Sequence, residues 1–288
     1  MIRLLLAAIT IAPLASPAGV TVADRVSVTV DARSASGDND RFWASLVFHP
    51  TEYLSTDWGE RHIALLRESG AALNYVRIYN QPEDGAYLRD DGSVGYRWDH
   101  FDRRAALILG QGLKPAVAFF SMPAQIAADP DLLRRRPFLD GKHIYLGLPK
   151  DFGLWQEMVA DFTRHVVDWY GEDEVAQWLF MCWNEPDLAS FSRFALEEYY
   201  PLYDHFAAGV RSVSRRIRLG GPSLSSNRTF QNPHHFRGFL EHVARGTNHV
   251  TGQTGSPIDF ITIHTYGGHG AAGSSRSPYP CVESMLEQ

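Results

Sequence analysis

The stretch QWLFMCWNEPDL, residues 177–188, joins a short apolar run to a polar turn that contains a proline. The run from Gln177 to Cys182 is typical of a strand that is buried on both faces of a parallel sheet, so we expect Cys182 to be a buried strand residue. Pro186 favours an end to the strand, and Asn184 and Glu185 stand just before it. The stretch therefore predicts a buried parallel strand whose carboxyl end carries polar side chains.

Similar short apolar segments recur along the chain and alternate with longer amphipathic segments. The clearest amphipathic segment has apolar residues from Trp155 to Trp169 at three- and four-residue spacing, and Gly171 closes it as a helix stop. This alternation predicts an α/β fold of repeated βα units around a parallel sheet. We expect barrel strands at 42–48, 71–79, 114–120, 177–182, 217–220 and 260–264, a further β segment at 26–31, and helices at 58–69, 101–109, 153–170 and 199–215.

The composition is that of an ordinary globular chain and argues against two classes of partner. Of 288 residues, 44% are hydrophobic and 21% charged, and no repeat or linker divides the chain after its first residues. The formal charge of −6 argues against nucleic acid and against an anionic membrane surface, because both need a concentrated basic surface. No cofactor motif, phosphate-binding glycine loop or metal-ligand spacing is recognisable, so we expect no cofactor and no metal.

The first residues have the pattern of a secretory signal. Arg3 precedes an apolar run over residues 4–15, and Ser16-Pro17-Ala18 supplies the small residues that signal peptidase requires. The alternative is a membrane anchor, but the run is shorter than the roughly 20 residues that span a bilayer. We therefore expect a signal peptide over residues 1–23, a secreted or periplasmic protein, and a single domain over residues 24–288.

Polar side chains stand where each predicted strand ends. In a barrel of βα units the carboxyl ends of the strands form one shared face, where functional side chains project. A carboxylate there, beside a Trp and stiffened by Pro186, is suited to protonate a glycosidic oxygen, and Asn184 to bind a sugar hydroxyl. The alternative is an ordinary turn in which Glu185 points into water. The other polar residues at the strand ends would then be hydrogen-bonded within the protein and would not contact a sugar. The candidate residues are His49, Arg77, Tyr79, Asn184, Glu185, His264 and Tyr266.

Several motifs in register resemble one enzyme family. Trp183-Asn184-Glu185-Pro186 is similar to the acid/base signature of clan A glycoside hydrolases. LKPAVAFFSMP at 113–123, LGGPS at 219–223 and IDFITIHTY at 258–266 resemble motifs of glycoside hydrolase family 39, the β-xylosidases and α-L-iduronidases. The resemblance runs from about Phe42 to Tyr266. It implies a (β/α)8 TIM barrel and a retaining O-glycoside hydrolase that acts on terminal sugars of glycans, with no cofactor.

The resemblance also implies roles for single residues. Glu185 matches the family's general acid/base and Asn184 its partner at the sugar 2-hydroxyl. The other matches are His264 and Tyr266 to a substrate-lining pair, His49 to a subsite histidine on the first strand, and Arg77 to an arginine that orients a catalytic carboxylate. The family often has a histidine where Tyr79 stands and an acidic residue where Met181 stands, so we expect a reshaped subsite. His264-Thr265-Tyr266 favours the β-xylosidase branch.

The resemblance places the nucleophile, a glutamate, at the end of a seventh strand. Only six βα units are predicted before Gln288, and Glu283 and Glu287 lie in a helix-like segment. A retaining glycosidase needs two carboxylates roughly 5 Å apart. We therefore expect a barrel truncated after its sixth unit, with open apolar edges at the first and sixth strands, in an incomplete sequence. The alternatives are an inactive carbohydrate-binding pseudoenzyme and another clan A glycosidase such as an α-L-iduronidase or endo-glucanase.

Overall fold

The computed structural model describes residues 46–48, 51–68, 73–135, 143–225 and 233–264. Its strands are β1 (Leu46–Phe48), β2 (Tyr75–Tyr79), β3 (Tyr87–Leu88), β4 (Val94–Gly95), β5 (Lys114–Phe119), β6 (Leu133–Arg135), β7 (His143–Tyr145), β8 (Leu179–Cys182), β9 (Arg218–Leu224) and β10 (Phe260–Ile263). Its α-helices are α1 (Asp57–Glu68), α2 (Asp99–Gly110), α3 (Phe152–Tyr170), α4 (Glu172–Val175), α5 (Leu196–Arg211) and α6 (Pro233–Arg245), and short 3-10 helices span Thr51–Ser55 and Pro82–Asp84.

Six of the strands form one parallel sheet in the order β1-β2-β5-β8-β9-β10. Helices separate successive strands of the sheet in the chain, so the order in space follows the order in sequence, as repeated βα units require. Two small antiparallel pairs, β3 with β4 and β6 with β7, lie within the connections. The sheet and its helices form a half-barrel of the (β/α)8 TIM-barrel type, which confirms the predicted fold class.

The sheet carries a separate hydrophobic cluster on each face, because side chains alternate along a strand. The smaller cluster consists of Ala116, Ala118 and Met181, with Tyr79 and Phe260 packed against it. The larger cluster lies between the other face and the helices, where Phe162 of α3 meets Phe119 edge-on at 5.1 Å. Burial on both faces explains why the central strands read as unbroken apolar runs.

Helix α3 follows the predicted apolar stripe, with one exception. Asp151 Oδ1 accepts the Gly153 N–H at 2.6 Å as an N-cap, and Gly171 ends the helix at φ 85°. The stripe from Trp155 to Val166 is buried. Trp169 was predicted to belong to it but is 70% exposed, and its ring stacks on His165. Trp169 therefore lies on the solvent side of the last turn, whereas Val167 and Tyr170 in the same turn pack against the core.

Two strand boundaries differ from the prediction by four residues. Strand β2 begins at Tyr75, where it pairs with Lys114, because Gly112 turns the chain at φ 70° just before its partner β5 begins. Strand β9 continues to Leu224 through a Gly-Gly-Pro sequence that predicts a strand end. Its pairing with β8 stops at Gly220, so the missing N–H of Pro222 interrupts no pairing on that side.

Several elements were not predicted, and several predictions lie outside the described residues. The strands of the pairs β3 with β4 and β6 with β7 are too short to show a periodic pattern in the sequence. Helix α6 was also not predicted, and it follows β9, the strand whose end was predicted too early. The predicted signal peptide, the β segment at 26–31 and residues 42–45 of the first strand are outside the described residues.

Strands β1 and β10 form the edges of the described sheet. The apolar side chains of Leu46, Ile261 and Ile263 are exposed there. Exposed apolar residues at sheet edges are what the sequence predicts for the first and sixth strands. Within the described ranges, no helix combines the length and the apolar character that crossing a membrane requires.

Candidate active site

Four of the predicted site residues meet at the carboxyl ends of the strands. Arg77 Nη2 donates a hydrogen bond of 2.9 Å to Asn184 Oδ1, across 107 residues of sequence. His264 Nδ1 lies 2.7 Å from Glu185 Oε1, across 79 residues. The parallel sheet creates both contacts, since β2, β8 and β10 all end on the same side.

These polar groups are nearly excluded from water. Glu185 is 6% exposed, Asn184 2% and Arg77 7%. Buried polar groups are stable only when hydrogen-bonded, so each partner fixes the position of the other. The His264 side chain is 18% exposed, so the pair that it forms with Glu185 stays close to solvent.

The contact between Glu185 and His264 can hold one proton in two ways. When the glutamate is ionised, the imidazole donates the Nδ1 proton to the carboxylate, and when the glutamate is protonated, its hydroxyl donates to Nδ1. The two arrangements contain the same single proton, so they describe its transfer between Glu185 and His264. Once Glu185 has given its proton to another group, the carboxylate keeps this hydrogen bond only if the imidazole carries a hydrogen on Nδ1.

The turn that carries Glu185 has a strained backbone. Trp183 has φ 64° and Glu185 has φ 46°, in the left-handed region that costs such residues on the order of 1–3 kcal/mol each. Two backbone hydrogen bonds hold this geometry. The Trp183 N–H donates to the Phe119 carbonyl at 3.1 Å, and the Glu185 N–H donates to the Ser223 carbonyl at 2.9 Å. The ends of both neighbouring strands therefore fix the direction of the glutamate.

Trp183 anchors the same turn from below. Its side chain is fully buried, its Nε1 donates to the Phe191 carbonyl at 3.0 Å, and its ring meets Phe120 edge-on at 5.1 Å. A bulky ring locked on two sides has little rotational freedom. The tryptophan of the motif thus supports the loop from within the core.

Tyr79 lies beside Arg77 at the end of β2. The Arg77 guanidinium carbon is 5.4 Å from the Tyr79 ring centroid, within the range of a cation–π contact. The ring also packs against Phe120 at 5.1 Å and belongs to the cluster around Met181. Tyr79 and Met181, the two positions at which we expect a reshaped subsite, are therefore neighbours on the same face of the sheet.

Cys182 is a structural residue next to the motif, as predicted. Burial raises the pKa of the Cys182 thiol well above its ordinary value. Its backbone carbonyl accepts a hydrogen bond of 3.0 Å from the Tyr199 hydroxyl on α5. A buried thiol that stays protonated is a poor nucleophile, so Cys182 contributes packing at this strand end.

Sequence reasoning missed three polar residues of the same face. Asp187 is buried, and its two carboxylate oxygens accept the Ser225 N–H and hydroxyl, both at 2.9 Å. Asn80 is fully buried directly after β2, and Ser121 is fully buried two residues after β5. In the described part of the chain, Asn80 Nδ2 and Ser121 Oγ make no hydrogen bond. Functional polar residues often lie at the carboxyl ends of barrel strands. This rule identifies Asn80 and Ser121 when it includes the residues just beyond each predicted strand end.

The structure does not place every predicted residue. It brings together Arg77, Asn184, Glu185 and His264, with Tyr79 against Arg77. His49 and Tyr266 lie outside the described residues. Their assignment to the site stays a prediction.

Replacing Arg77 with methionine is expected to lower the free energy of unfolding by about 1–3 kcal/mol, because buried Asn184 Oδ1 loses a charged donor. Urea unfolding at neutral pH measures this change. Arg218→Met is the matched control, since Arg218 also lies over a tyrosine of β2, Tyr75, but is exposed. We expect about 0.5 kcal/mol or less for the control. Equal losses in both variants would show that the bond to Asn184 adds nothing.

Comparisons with known proteins identify the family of the chain. The sequence model of glycosyl hydrolases family 39 matches residues 26–285. A β-xylosidase from Caldicellulosiruptor saccharolyticus is 26% identical over 250 residues, which cover 84% of this chain and 46% of that protein. An α-L-iduronidase from Canis lupus familiaris is 28% identical over 281 residues, which cover 93% of this chain and 39% of that protein.

A solved structure supports the same fold. The monomeric β-xylosidase from Caulobacter crescentus superimposes with a TM-score of 0.62 at 24% identity, over 82% of this chain and 44% of that one. The chain thus spans less than half the length of these relatives. Since the family model matches nearly the whole chain, the protein belongs to glycosyl hydrolases family 39.

Proposed function

We propose that the protein is a retaining O-glycoside hydrolase, β-xylosidase-like, that acts on terminal sugars of glycans and that has Glu185 as its general acid/base. The observation that carries this proposal is the buried Glu185 at the end of β8, held at 2.7 Å by His264. Membership of the family supports a carbohydrate substrate. The apolar run at residues 4–15 supports a secreted or periplasmic location.

Glu185 acts twice in the proposed reaction. It first protonates the glycosidic oxygen as the sugar transfers to the nucleophile, and it then deprotonates the water that releases the sugar. His264 Nδ1 accepts a hydrogen bond from the protonated carboxyl group of Glu185. When Glu185 is ionised, an imidazole with a hydrogen on Nδ1 donates to the carboxylate. Asn184 is oriented by Arg77 at its Oδ1, so its amide nitrogen is the end that donates to the sugar 2-hydroxyl.

We expect the 288-residue chain by itself to hydrolyse neither an aryl β-xyloside nor a polymeric glucan. The reason is that the family resemblance places the nucleophile on a seventh strand, while the described sheet has six. Release of the aryl alcohol by purified chain, compared with the Glu185→Gln variant, measures this. Turnover that disappears in the variant would reveal a nucleophile within these residues and contradict the expectation.

The substrate is tested in a chain extended to the complete barrel. Relatives include both β-xylosidases and α-L-iduronidases, so the extended protein is assayed on an aryl β-xyloside, an aryl α-L-iduronide and a polymeric glucan. The proposal requires cleavage of the β-xyloside with retained configuration. Cleavage of the glucan alone would overturn it, and sugar binding without any cleavage would favour the pseudoenzyme.

A further inference from the structure

A cluster of two histidines and one aspartate lies in the outer helical layer. Asp204 projects from α5, His242 from α6 and His249 from the connection that leads to β10. One ligand atom from each residue lies within 4.8 Å of the others. The spacing of these residues in the sequence does not predict the cluster, because 38 residues separate Asp204 from His242.

The distances within the cluster are close to those of ligands that share one ion. Asp204 Oδ2 lies 3.1 Å from His242 Nε2 and 2.7 Å from His249 Nδ1. A tetrahedral ion bound at about 2.0–2.1 Å needs ligand atoms on the order of 3.3 Å apart. An outward movement of less than about 1 Å brings both imidazole nitrogens to that separation from Asp204 Oδ2.

The surroundings hold each ligand in position. The His242 ring stacks on Tyr200 at 4.6 Å with an interplanar angle of 6°, and Gly246 packs so closely that a Cβ there would lie 2.6 Å from His242 Nδ1. On the other side, the Asp204 carboxylate accepts hydrogen bonds from Ser256 Oγ and from the His249 N–H. Second-shell contacts of this kind orient metal ligands and raise affinity.

We propose that Asp204, His242 and His249 form a Zn²⁺ site with a water molecule as the fourth ligand. Two imidazole nitrogens and one carboxylate oxygen are a donor set that zinc prefers in proteins. The aspartate is fully buried and the His242 side chain is 6% exposed, whereas the His249 side chain is 45% exposed. Access for the ion and the fourth ligand is therefore on the side of His249.

The proposed ion connects three segments of the outer helical layer. Asp204 and Tyr203 are neighbours on α5, and the Tyr203 hydroxyl donates at 2.8 Å to the Pro257 carbonyl in the connection just before β10. An ion at the cluster links α5, α6 and this connection at the amino end of β10, whereas the candidate active site lies at the carboxyl ends of the strands. Its existence is therefore independent of the proposed glycosidase activity.

Titration of the tag-free, chelator-treated full chain with Zn²⁺ tests the proposal, with Co²⁺ as a spectroscopic probe. We expect one Zn²⁺ per chain, a melting temperature raised by about 5 °C or more at saturating metal, and visible absorption typical of four-coordinate Co²⁺. The His249→Gln and His242→Asn variants should bind Zn²⁺ at least about 100-fold more weakly.

His205→Gln is the matched control, because His205 is adjacent to Asp204 in sequence but its Nδ1 is 3.0 Å from Gln156 Oε1 instead. This variant should bind Zn²⁺ as the unaltered protein does. Failure of the unaltered chain to bind Zn²⁺ with unit stoichiometry would overturn the proposal, whether or not the variants fold. Equal affinity in the His249→Gln chain would place the ion elsewhere and also overturn it.

Discussion

Replacing Glu185 with glutamine, in a chain extended to the complete barrel, is expected to lower kcat/KM for unactivated xylosides by about 10²–10⁴-fold. Cleavage of a poor leaving group needs a proton on the departing oxygen, and glutamine cannot supply it. An aryl xyloside with an acidic leaving group needs little protonation, so its kcat/KM should fall much less. The measurement is a plot of kcat/KM against leaving-group pKa, which should be steep in the variant and shallow in the unaltered enzyme.

The control for this experiment is Glu241→Gln, a glutamate on the exposed side of α6 whose Oε1 accepts from Arg245. That variant should match the unaltered enzyme on both substrates. Equal losses on activated and unactivated substrates in Glu185→Gln would mean that the residue does not deliver the proton. In that case Glu185 would be a group that positions the substrate or the loop.

The fold was largely predictable because its signals are local and repeated. The apolar stripe of α3 and its stop at Gly171 can be read from sixteen or so consecutive residues, and the parallel strands follow from burial on both faces. Boundaries failed where tertiary pairing overrides a local signal. Gly220-Gly221-Pro222 predicts the end of β9, yet pairing with β10 continues the strand, and Gly220 leaves room for the Phe260 ring.

The site was predictable in its place but not in its contacts. The carboxyl-end rule selects Arg77, Asn184, Glu185 and His264 without any knowledge of their side-chain rotamers. Which of them pair depends on how far each strand extends and how the sheet curves, over separations of 79 and 107 residues. The resemblance links Arg77 to a catalytic carboxylate, and in the structure Arg77 donates a hydrogen bond to Asn184, the residue before Glu185.

Asp204 is a buried carboxylate that connects α5 to α6 and to the segment before β10. No pattern in the neighbouring sequence predicts this role. Its carboxylate accepts hydrogen bonds from His242, Ser256 and His249, which come from α6 and the connection to β10. Burial by itself raises the pKa of Asp204, but these hydrogen bonds outweigh burial and hold the pKa below its usual value. The aspartate is therefore ionised near neutral pH and binds three segments together.

Asp204→Ala is accordingly expected to lower the free energy of unfolding by about 3–5 kcal/mol at neutral pH in the presence of a chelator, because buried donors lose their acceptor. Asp173→Ala is the control, since its pair with Arg216 is exposed to solvent and contributes little to stability. Because folding lowers the pKa of Asp204, its contribution is complete above the unfolded pKa of about 3.9 and is lost as the pH falls through the folded value. The difference in urea midpoint between the unaltered protein and the Asp204→Ala variant should therefore become smaller below about pH 4. A gap that is unchanged from pH 7 to pH 3 would mean that the variant loses packing and not the ionised carboxylate.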